Sequence, residues 1–285
     1  MRNKIIFSGT SNTFGLGLEI ELRPKYNDDV WLKENGIFLP LPREKEDVFY
    51  WKNYRWSKLV CDELELIEHN IHDEEHKTLL GGNAIESLWM ITRDKNNVEL
   101  NKLLSQTKYV ILEIGYIRWW DDNLHGSNDG VDYPNTIREV IALINNPESN
   151  ESVVAKALQW LREFDEEIYW NETFKKYLQL KEEYTDIKFI LFPWSGANIV
   201  GLSKNMIHPS VKNDYINIDN HHDFPYGSIS HYISSNNLTV GDVAKAFNGD
   251  YKFNFKDDHA GSEGQRRIAK MVINHIKKIE NPNII

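Results

Sequence analysis

The stretch KYVILEI, residues 108–114, predicts the centre of the fold. It is a mainly apolar run that contains β-branched and aromatic residues, and Gly115 follows it directly. An apolar run without alternating polar positions is typical of a strand that is covered on both faces. We therefore expect this strand to lie in the middle of a mainly parallel sheet.

Weaker signals on either side of this strand predict an alternation of strands and helices. Apolar runs predict strands at residues 3–8, 66–70 and 187–192, with a weaker run at 215–218. Helical spacing predicts helices at residues 55–65, 81–90, 239–247 and 261–279, and within 134–184, with a break at 145–150. Asn150 or Ser152 is in position to cap the helix after that break. Because parallel neighbours need crossover helices, the pattern predicts an α/β fold with helices on both faces of the sheet.

Composition and charge disfavour several classes of partner. The chain has 285 residues and a formal net charge of −10, which opposes broad binding to nucleic acid or to anionic membranes. Cys61 is the only cysteine, so an intrachain disulfide is impossible and a reducing, cytoplasmic location is expected. The early apolar run, Ile5 to Phe7, is too short for a signal peptide, and no later run is long enough to span a membrane.

The first candidate for chemistry is the segment GTSNTFGLGLE, residues 9–19. It follows the first predicted strand and therefore starts at the carboxyl edge of the sheet, where open α/β folds bind ligands. Ser11 is positioned there as a nucleophile, and its backbone amide can donate to a developing oxyanion. A glycine- and serine-rich turn without chemistry is the alternative.

The second candidate is the segment DDHAGSEGQRR, residues 257–267, directly before the last predicted helix. The imidazole of His259 can take the proton of Ser11 and return it to a leaving group, because its pKa lies near neutrality. A carboxylate beside it would fix its tautomer. A surface histidine near a helix start is the alternative.

Together the two segments resemble the SGNH/GDSL hydrolase family, which has an early Gly-Asp-Ser block and a late Asp-x-x-His block. Residues 55–70 look like the first helix and second strand of that family, residues 81–83 like its glycine block, and residues 110–118 like its third block. The match is closest to divergent phage-encoded members. The resemblance implies a flavodoxin-like, three-layer α/β/α sandwich in which residues 1–285 form one domain, with a helical excursion at about 134–184.

The resemblance also implies a serine esterase that needs no cofactor and forms an acyl-Ser11 intermediate. His259 would be the base, and Asp257, or less readily Asp258, would orient it. The backbone amides of Ser11 and Gly82 would hold the oxyanion, with Arg118 or Asn12 as helpers. The expected substrate is a small-molecule or carbohydrate ester. Asn12 and the aromatic pair Trp119 and Trp120 would bind it, and Trp194 either joins them in an aromatic wall or packs in the core.

Three positions depart from the family pattern. Thr10 replaces the aspartate before the nucleophile. Ile117 stands where the family has an oxyanion-holding asparagine, and its side chain cannot donate a hydrogen bond. Lys256 stands three residues before His259, where the family has its aspartate. The serine and histidine are therefore the firmer part of the predicted site.

Two other functions stay open. The missing asparagine favours a non-catalytic phage virion or assembly protein that keeps the fold, which would act in the virion or the host cytoplasm. A metal-dependent hydrolase would use His69, His72 and His76 with Asp73, and His221, His222 and Asp223 form a second such group. A solvated polar loop is the alternative for the first group, which lacks a His-Glu-x-x-His pattern. The sequence does not decide the oligomeric state.

Overall fold

The computed structural model describes residues 2–9, 18, 52–70, 84–93, 95–114, 143–163, 165–194, 209–216, 229–242 and 256–282. In these residues four strands form one parallel sheet in the order β2-β1-β3-β4. The strands are β1 (Lys4–Ser8), β2 (Ile67–Asn70), β3 (Thr107–Ile114) and β4 (Lys188–Pro193). The run that predicted a central strand is β3, and it pairs with β1 on one side and β4 on the other.

Seven named α-helices accompany these strands in the described part of the chain. They are α1 (Trp56–Leu64), α2 (Ala84–Thr92), α3 (Val98–Gln106), α4 (Glu151–Glu163), α5 (Glu166–Glu183), α6 (Ile229–Ser235) and α7 (Ser262–Glu280). None of the helices in the described ranges is both long and apolar enough to cross a membrane.

Successive residues of each strand supply two separate hydrophobic clusters, because side chains alternate between the faces of a sheet. On one face Phe7, Ile111 and Phe192 pack against residues of α1 and α7, and we call this group the α7-side cluster. On the other face Val110 and Leu191 pack against residues of α2, α3 and α5, which form the α5-side cluster. The fold is therefore a three-layer α/β/α sandwich, as predicted.

Helix α7 lies across its face of the sheet antiparallel to the strands. Near its end, Glu280 accepts hydrogen bonds from Tyr109 and from Lys188 (2.9 Å), which lie near the beginnings of β3 and β4. Near its start, Gln265 accepts a 2.8 Å hydrogen bond from the backbone N–H of Trp56. The Trp56 ring stacks on Phe192, near the carboxyl end of β4. The first turn of α7 therefore lies at the carboxyl edge of the sheet.

Two helix predictions need correction. The helical pattern of residues 151–184 is divided, because Asp165 caps the start of α5 by accepting a hydrogen bond from Ile168 N–H (3.0 Å). Residues 239–242 of the predicted helix 239–247 instead form strand β5, which pairs antiparallel with β6 (Lys256–Ala260). Helical spacing over such a short run is weak evidence, and tertiary pairing overrides it.

Other local predictions are confirmed. The break at 145–150 is present, and Asn150 accepts a 2.9 Å hydrogen bond from the N–H of Ser152 at the start of α4. The buried side of α1 includes Cys61, and the buried side of α7 includes Ile268 and Val272. The weak run at 215–218 contributes one parallel bridge, between Tyr215 and Leu191, and residues 217 and 218 lie outside the described part.

Several polar side chains form a hydrogen-bonded group beside β4, the last strand in the order of the sheet. Asp214, at the end of a 3-10 helix (Pro209–Asp214), accepts hydrogen bonds from Tyr177 (2.9 Å) and Lys181 (2.6 Å) of α5. The backbone of Asp214 also bonds to the imidazole of His275, on α7. The Nε2 atom of His275 is buried and has no hydrogen-bond partner among the described residues. Burial lowers the pKa of this histidine from 6.5 to about 4, against the raising effect of Asp214.

The lowered pKa of His275 predicts that the folded protein loses stability in acid. Between pH 6.5 and about pH 4 the unfolded chain binds a proton at His275 that the folded protein does not, so the free energy of unfolding falls as the pH falls through this window. His275→Asn removes this titration. Urea unfolding at pH 7 and pH 4.5 should show a loss larger by up to about 3 kcal/mol in the parent than in the variant. Equal losses in both proteins would contradict the prediction.

Candidate active site

The serine segment starts at the carboxyl edge of the sheet, where helix α7 also begins. Strand β1 ends at Ser8, which is buried, and Gly9 continues the chain from there. Ser11 stands three residues after Ser8 and lies outside the described residues. The structure therefore describes the strand that leads into the serine segment, at the same edge where α7 begins.

His259 is the next-to-last residue of β6, just before helix α7, which begins at this edge. Its side chain is partly buried and has an interaction partner of its own. Ala260 follows it and is fully buried in the α7-side cluster, and Gly261 then forms the N-cap of α7. The antiparallel course of α7 is thus the reason that His259 lies at the carboxyl edge and not at the opposite one.

The strand that carries His259 has a bulge at this point. Thr239 pairs with Ala260, and Gly241 pairs with Asp257, so Asp258 and His259 together lie opposite the single residue Val240. A bulge bends its strand and interrupts the regular alternation of sides, and bulges are common next to active sites. The two-residue spacing between Asp257 and His259 therefore does not by itself put them on one face of β6.

A close backbone contact fixes the start of α7 against the segment before β5. The N–H of Gly261 donates a 2.9 Å hydrogen bond to the carbonyl oxygen of Leu238. A Cβ atom added at Gly264 would lie only 2.5 Å from the same oxygen and 3.3 Å from Ile233 Cδ1. Only glycine permits this approach, and the position of β6 relative to α7 depends on it.

A buried polar network ties the start of α1 to the end of β2. Arg55 donates from Nε to Glu68 Oε1 at 2.9 Å, and both side chains are largely buried. The hydroxyl of Ser57 donates to the same carboxylate oxygen, and Asn70 donates to Ser57 Oγ at 3.3 Å. Because the cation and anion are paired inside the network, it adds no net charge to the edge.

Four aromatic rings contact one another in the core near this edge, and we call them the aromatic floor: Phe7, Trp56, Phe192 and Trp194. Trp56 stacks on Phe192 with 4.6 Å between ring centroids, and it meets Phe7 edge-on at 5.1 Å. Trp194 continues the stack on Phe192 and is only 3% exposed. Of the two roles expected for Trp194, the structure supports core packing, because a ring buried to this degree has no free face for a ligand.

The remaining predicted residues are only partly covered by the structure. The backbone of Asp257 belongs to β6, and no metal site with three or more His, Cys, Asp or Glu residues is found among the described residues. His69 lies in β2, whereas its expected metal partners lie outside the described part. Six further predicted residues also lie outside it: Ser11, Asn12, Gly82, Arg118, Trp119 and Trp120.

Two ionisable groups outside the predicted site are also buried. Cys61 is an unsuitable nucleophile, because burial raises the pKa of its thiol and keeps it protonated. Glu113 is 1% exposed and stands one residue before the end of β3. The signal was present in the sequence, since Glu113 is the one charged residue in the apolar run 109–114.

Comparison with known proteins gives only distant structural likenesses. No protein-family model and no curated protein matches the sequence. A carbohydrate esterase is similar over 97% of this chain and 65% of its own, with 12% identity and a TM-score of 0.34, so this chain spans about two thirds of its length. Phospholipase A1 from Streptomyces albidoflavus NA297 is similar over 98% of this chain and 99% of its own, with 11% identity and a TM-score of 0.40. At these values neither likeness places the chain in a family.

The close contact at Gly264 predicts an unusual response to alanine. Gly→Ala inside an open helix stabilises a protein by up to about 1 kcal/mol, whereas Gly264→Ala should destabilise this one by about 1–3 kcal/mol through overpacking against Leu238. Chemical unfolding measures the difference, with Lys270→Ala on the exposed side of α7 as the control. A gain of stability in Gly264→Ala would contradict the described contact.

Proposed function

We propose that this protein is an ester hydrolase that uses Ser11 as its nucleophile and His259 as its general base. The observation that carries the proposal is the convergence of two segments at one edge of the sheet. Strand β1 ends three residues before Ser11, and the antiparallel course of α7 brings His259 to the same edge. Ligand sites of open parallel sheets form at this edge.

The reaction follows from the chemistry of these two groups. His259 takes the proton of Ser11 Oγ while that oxygen attacks the carbonyl carbon of the ester. The resulting oxyanion accepts hydrogen bonds from the amides of Ser11 and Gly82, helped by Arg118 or Asn12. His259 then protonates the leaving alcohol as the C–O bond breaks, which leaves an acyl-Ser11 ester. Water, deprotonated by His259, attacks that ester, and His259 returns the proton to Ser11 Oγ as the bond between that oxygen and the acyl carbon breaks, which releases the acid and the free enzyme.

The proposed substrate is an O-acyl ester on a carbohydrate. Trp119 and Trp120 would stack on the apolar faces of sugar rings, and Asn12 would hydrogen-bond to the substrate. Trp194 is not part of this surface, because it is buried in the aromatic floor. The net charge of −10 is compatible with a neutral substrate and disfavours a polyanionic one.

A second candidate function is non-catalytic binding at the same edge, as in a virion or assembly protein. The observation that favours it is Ile117, which cannot supply the side-chain donor expected at the oxyanion. Loss of one such donor costs about 3–4 kcal/mol of transition-state stabilisation. The two functions differ in whether Ser11 is activated.

A fluorophosphonate probe distinguishes the two functions. It should label the parent protein once per chain, at Ser11, because only an activated serine attacks the phosphorus. Ser11→Ala should not be labelled, and His259→Asn should be labelled at least roughly 10²-fold more slowly. His275→Asn, which changes a histidine in the middle of α7, is the matched control and should react like the parent. A parent protein that hydrolyses no aryl ester and takes no label would favour the binding function.

Because β6 has a bulge at this point, the sequence spacing does not identify which carboxylate, Asp257 or Asp258, orients His259. Asp257→Asn and Asp258→Asn each remove one charge from neighbouring positions, so each is the control for the other. The variant that loses the orienting group should show kcat lower by roughly 10²-fold or more, with KM little changed, and the other variant should resemble the parent. If both variants keep the parent's kcat, the histidine is oriented by neither residue.

A further inference from the structure

Residues 209–216 form a short segment on the outer side of β4, which we call the edge segment. It consists of the 3-10 helix (Pro209–Asp214), Tyr215 and Ile216. In the described part of the chain, its backbone joins β4 through the bridge between Tyr215 and Leu191 and through a 3.1 Å hydrogen bond from Ile216 N–H to the Leu191 carbonyl oxygen. By contrast, β4 pairs with β3 at six positions. Few backbone bonds therefore hold the edge segment to the sheet, which favours local opening there.

Asp214 joins the edge segment to the helices on both faces of the sheet. Its carboxylate accepts hydrogen bonds from Tyr177 (2.9 Å) and Lys181 (2.6 Å) of α5. Its backbone bonds to the imidazole of His275, on α7. The attachment of the edge segment therefore depends on polar contacts with α5 on one side and with a titratable side chain of α7 on the other.

The bond between His275 and Asp214 defines which nitrogen of the imidazole carries the proton. Nε2 is buried and has no hydrogen-bond partner within the described ranges, so the bond is made by Nδ1. This bond raises the pKa of the histidine, as a bond donated to a backbone carbonyl oxygen does. Nδ1 therefore donates to Asp214. Because a neutral imidazole has a single N–H, Nε2 is the unprotonated nitrogen.

Protonation of His275 would create a buried cation whose second N–H has no acceptor. Such a group costs much more free energy than a buried neutral nitrogen. Burial has the largest effect on His275 and lowers its pKa to about 4, and it outweighs the raising effect of the Asp214 charge. The ammonium group of Lys278, one turn further along α7, also opposes the imidazolium. Departure of the edge segment would let water reach the ring and would relieve this cost.

We propose that the edge segment is an acid-released cover of β4, with His275 as its proton sensor. At neutral pH the uncharged imidazole holds the backbone of Asp214, and the segment stays on the strand. As the pH falls toward 5, the proton that His275 binds more readily in water favours the detached state. Detachment uncovers the backbone of β4 at Leu191, and an uncovered strand edge can pair with another strand. This device is independent of the proposed ester hydrolysis.

Amide hydrogen exchange at pH 7 and pH 5 tests this release. The reporter is the amide of Ile216, because its bond to Leu191 breaks when the segment detaches. The reference amides are those of β3, in the middle of the sheet. Each exchange rate is divided by the intrinsic rate at the same pH. His275→Asn keeps a donor near the position of Nδ1 but does not titrate. His69→Asn is the matched control, because it removes a partly buried histidine from β2, at the opposite end of the strand order.

The expected result is a local loss of protection that depends on His275. Because detachment returns the pKa of His275 from about 4 to 6.5, the open fraction of the edge segment should rise by up to roughly 20-fold from pH 7 to pH 5 in the parent and in His69→Asn. The β3 amides should keep their protection. In His275→Asn the rise should be less than about twofold. Lys278→Gln should show a smaller rise than the parent, whereas Lys277→Gln, whose lysine pairs with Glu63, should resemble it.

Other outcomes overturn the inference. If the parent keeps its protection at Ile216 at pH 5, the segment is not released by acid. If the β3 amides lose protection together with Ile216, the whole protein unfolds and no separate device exists. An equal rise in His275→Asn and the parent overturns the role of the histidine. If His275→Asn does not fold, the two lysine variants decide, and equal rises in Lys278→Gln and Lys277→Gln overturn the proposal.

Discussion

Helix α7 is held against the sheet by polar bonds near both of its ends. Glu280 binds Tyr109 and Lys188 at the amino edge of the sheet, and Gln265 binds the backbone of Trp56 near the carboxyl edge. Between these two contacts the apolar side of the helix fills the α7-side cluster. If the helix shifted by one turn, both polar contacts would break and the buried residues would lose their partners. The positions of the residues just before α7 depend on this placement of the helix against the sheet.

The two edges of the sheet differ in the contacts that the structure describes there. At the amino edge the side chain of Arg2 bonds to the carbonyl oxygens of Leu104 and Thr107, and Glu280 joins the starts of β3 and β4. These contacts satisfy polar groups where helices and strands meet. At the carboxyl edge β1 leads toward Ser11 and β6 delivers His259. Parallel sheets favour this division, because all their strands point to the same edge.

The carboxyl edge is assembled from contacts that tolerate little change. Gly264 permits the backbone of Leu238 to approach α7, and a bulge in β6 alters the direction of the strand at His259. The Arg55–Glu68 pair anchors the start of α1 nearby without adding net charge. Glu113, one residue before the end of β3, is a further buried carboxyl group and has an interaction partner of its own. Together these features link packing in the core to the geometry of this edge.

Local sequence patterns were sufficient to predict several parts of this protein. The apolar run at residues 108–114 identified a covered central strand, and the spacing of Ile268, Val272 and Ile276 identified the buried side of α7. Patterns of this kind record which side of an element is apolar, and that property needs no knowledge of its partner. The motifs around Ser11 and His259 are of the same kind, and the tertiary structure describes the histidine and the strand that leads to the serine.

The way in which distant segments meet depends on tertiary contacts and was not predicted from local patterns. Residues 239–242 have helical spacing but form a strand, because they pair with β6. The bulge opposite Val240 and the contact at Gly264 each depend on a partner from another part of the chain. Such pairings cannot be inferred from a local pattern, because the stabilising contact lies between residues that the sequence does not bring together.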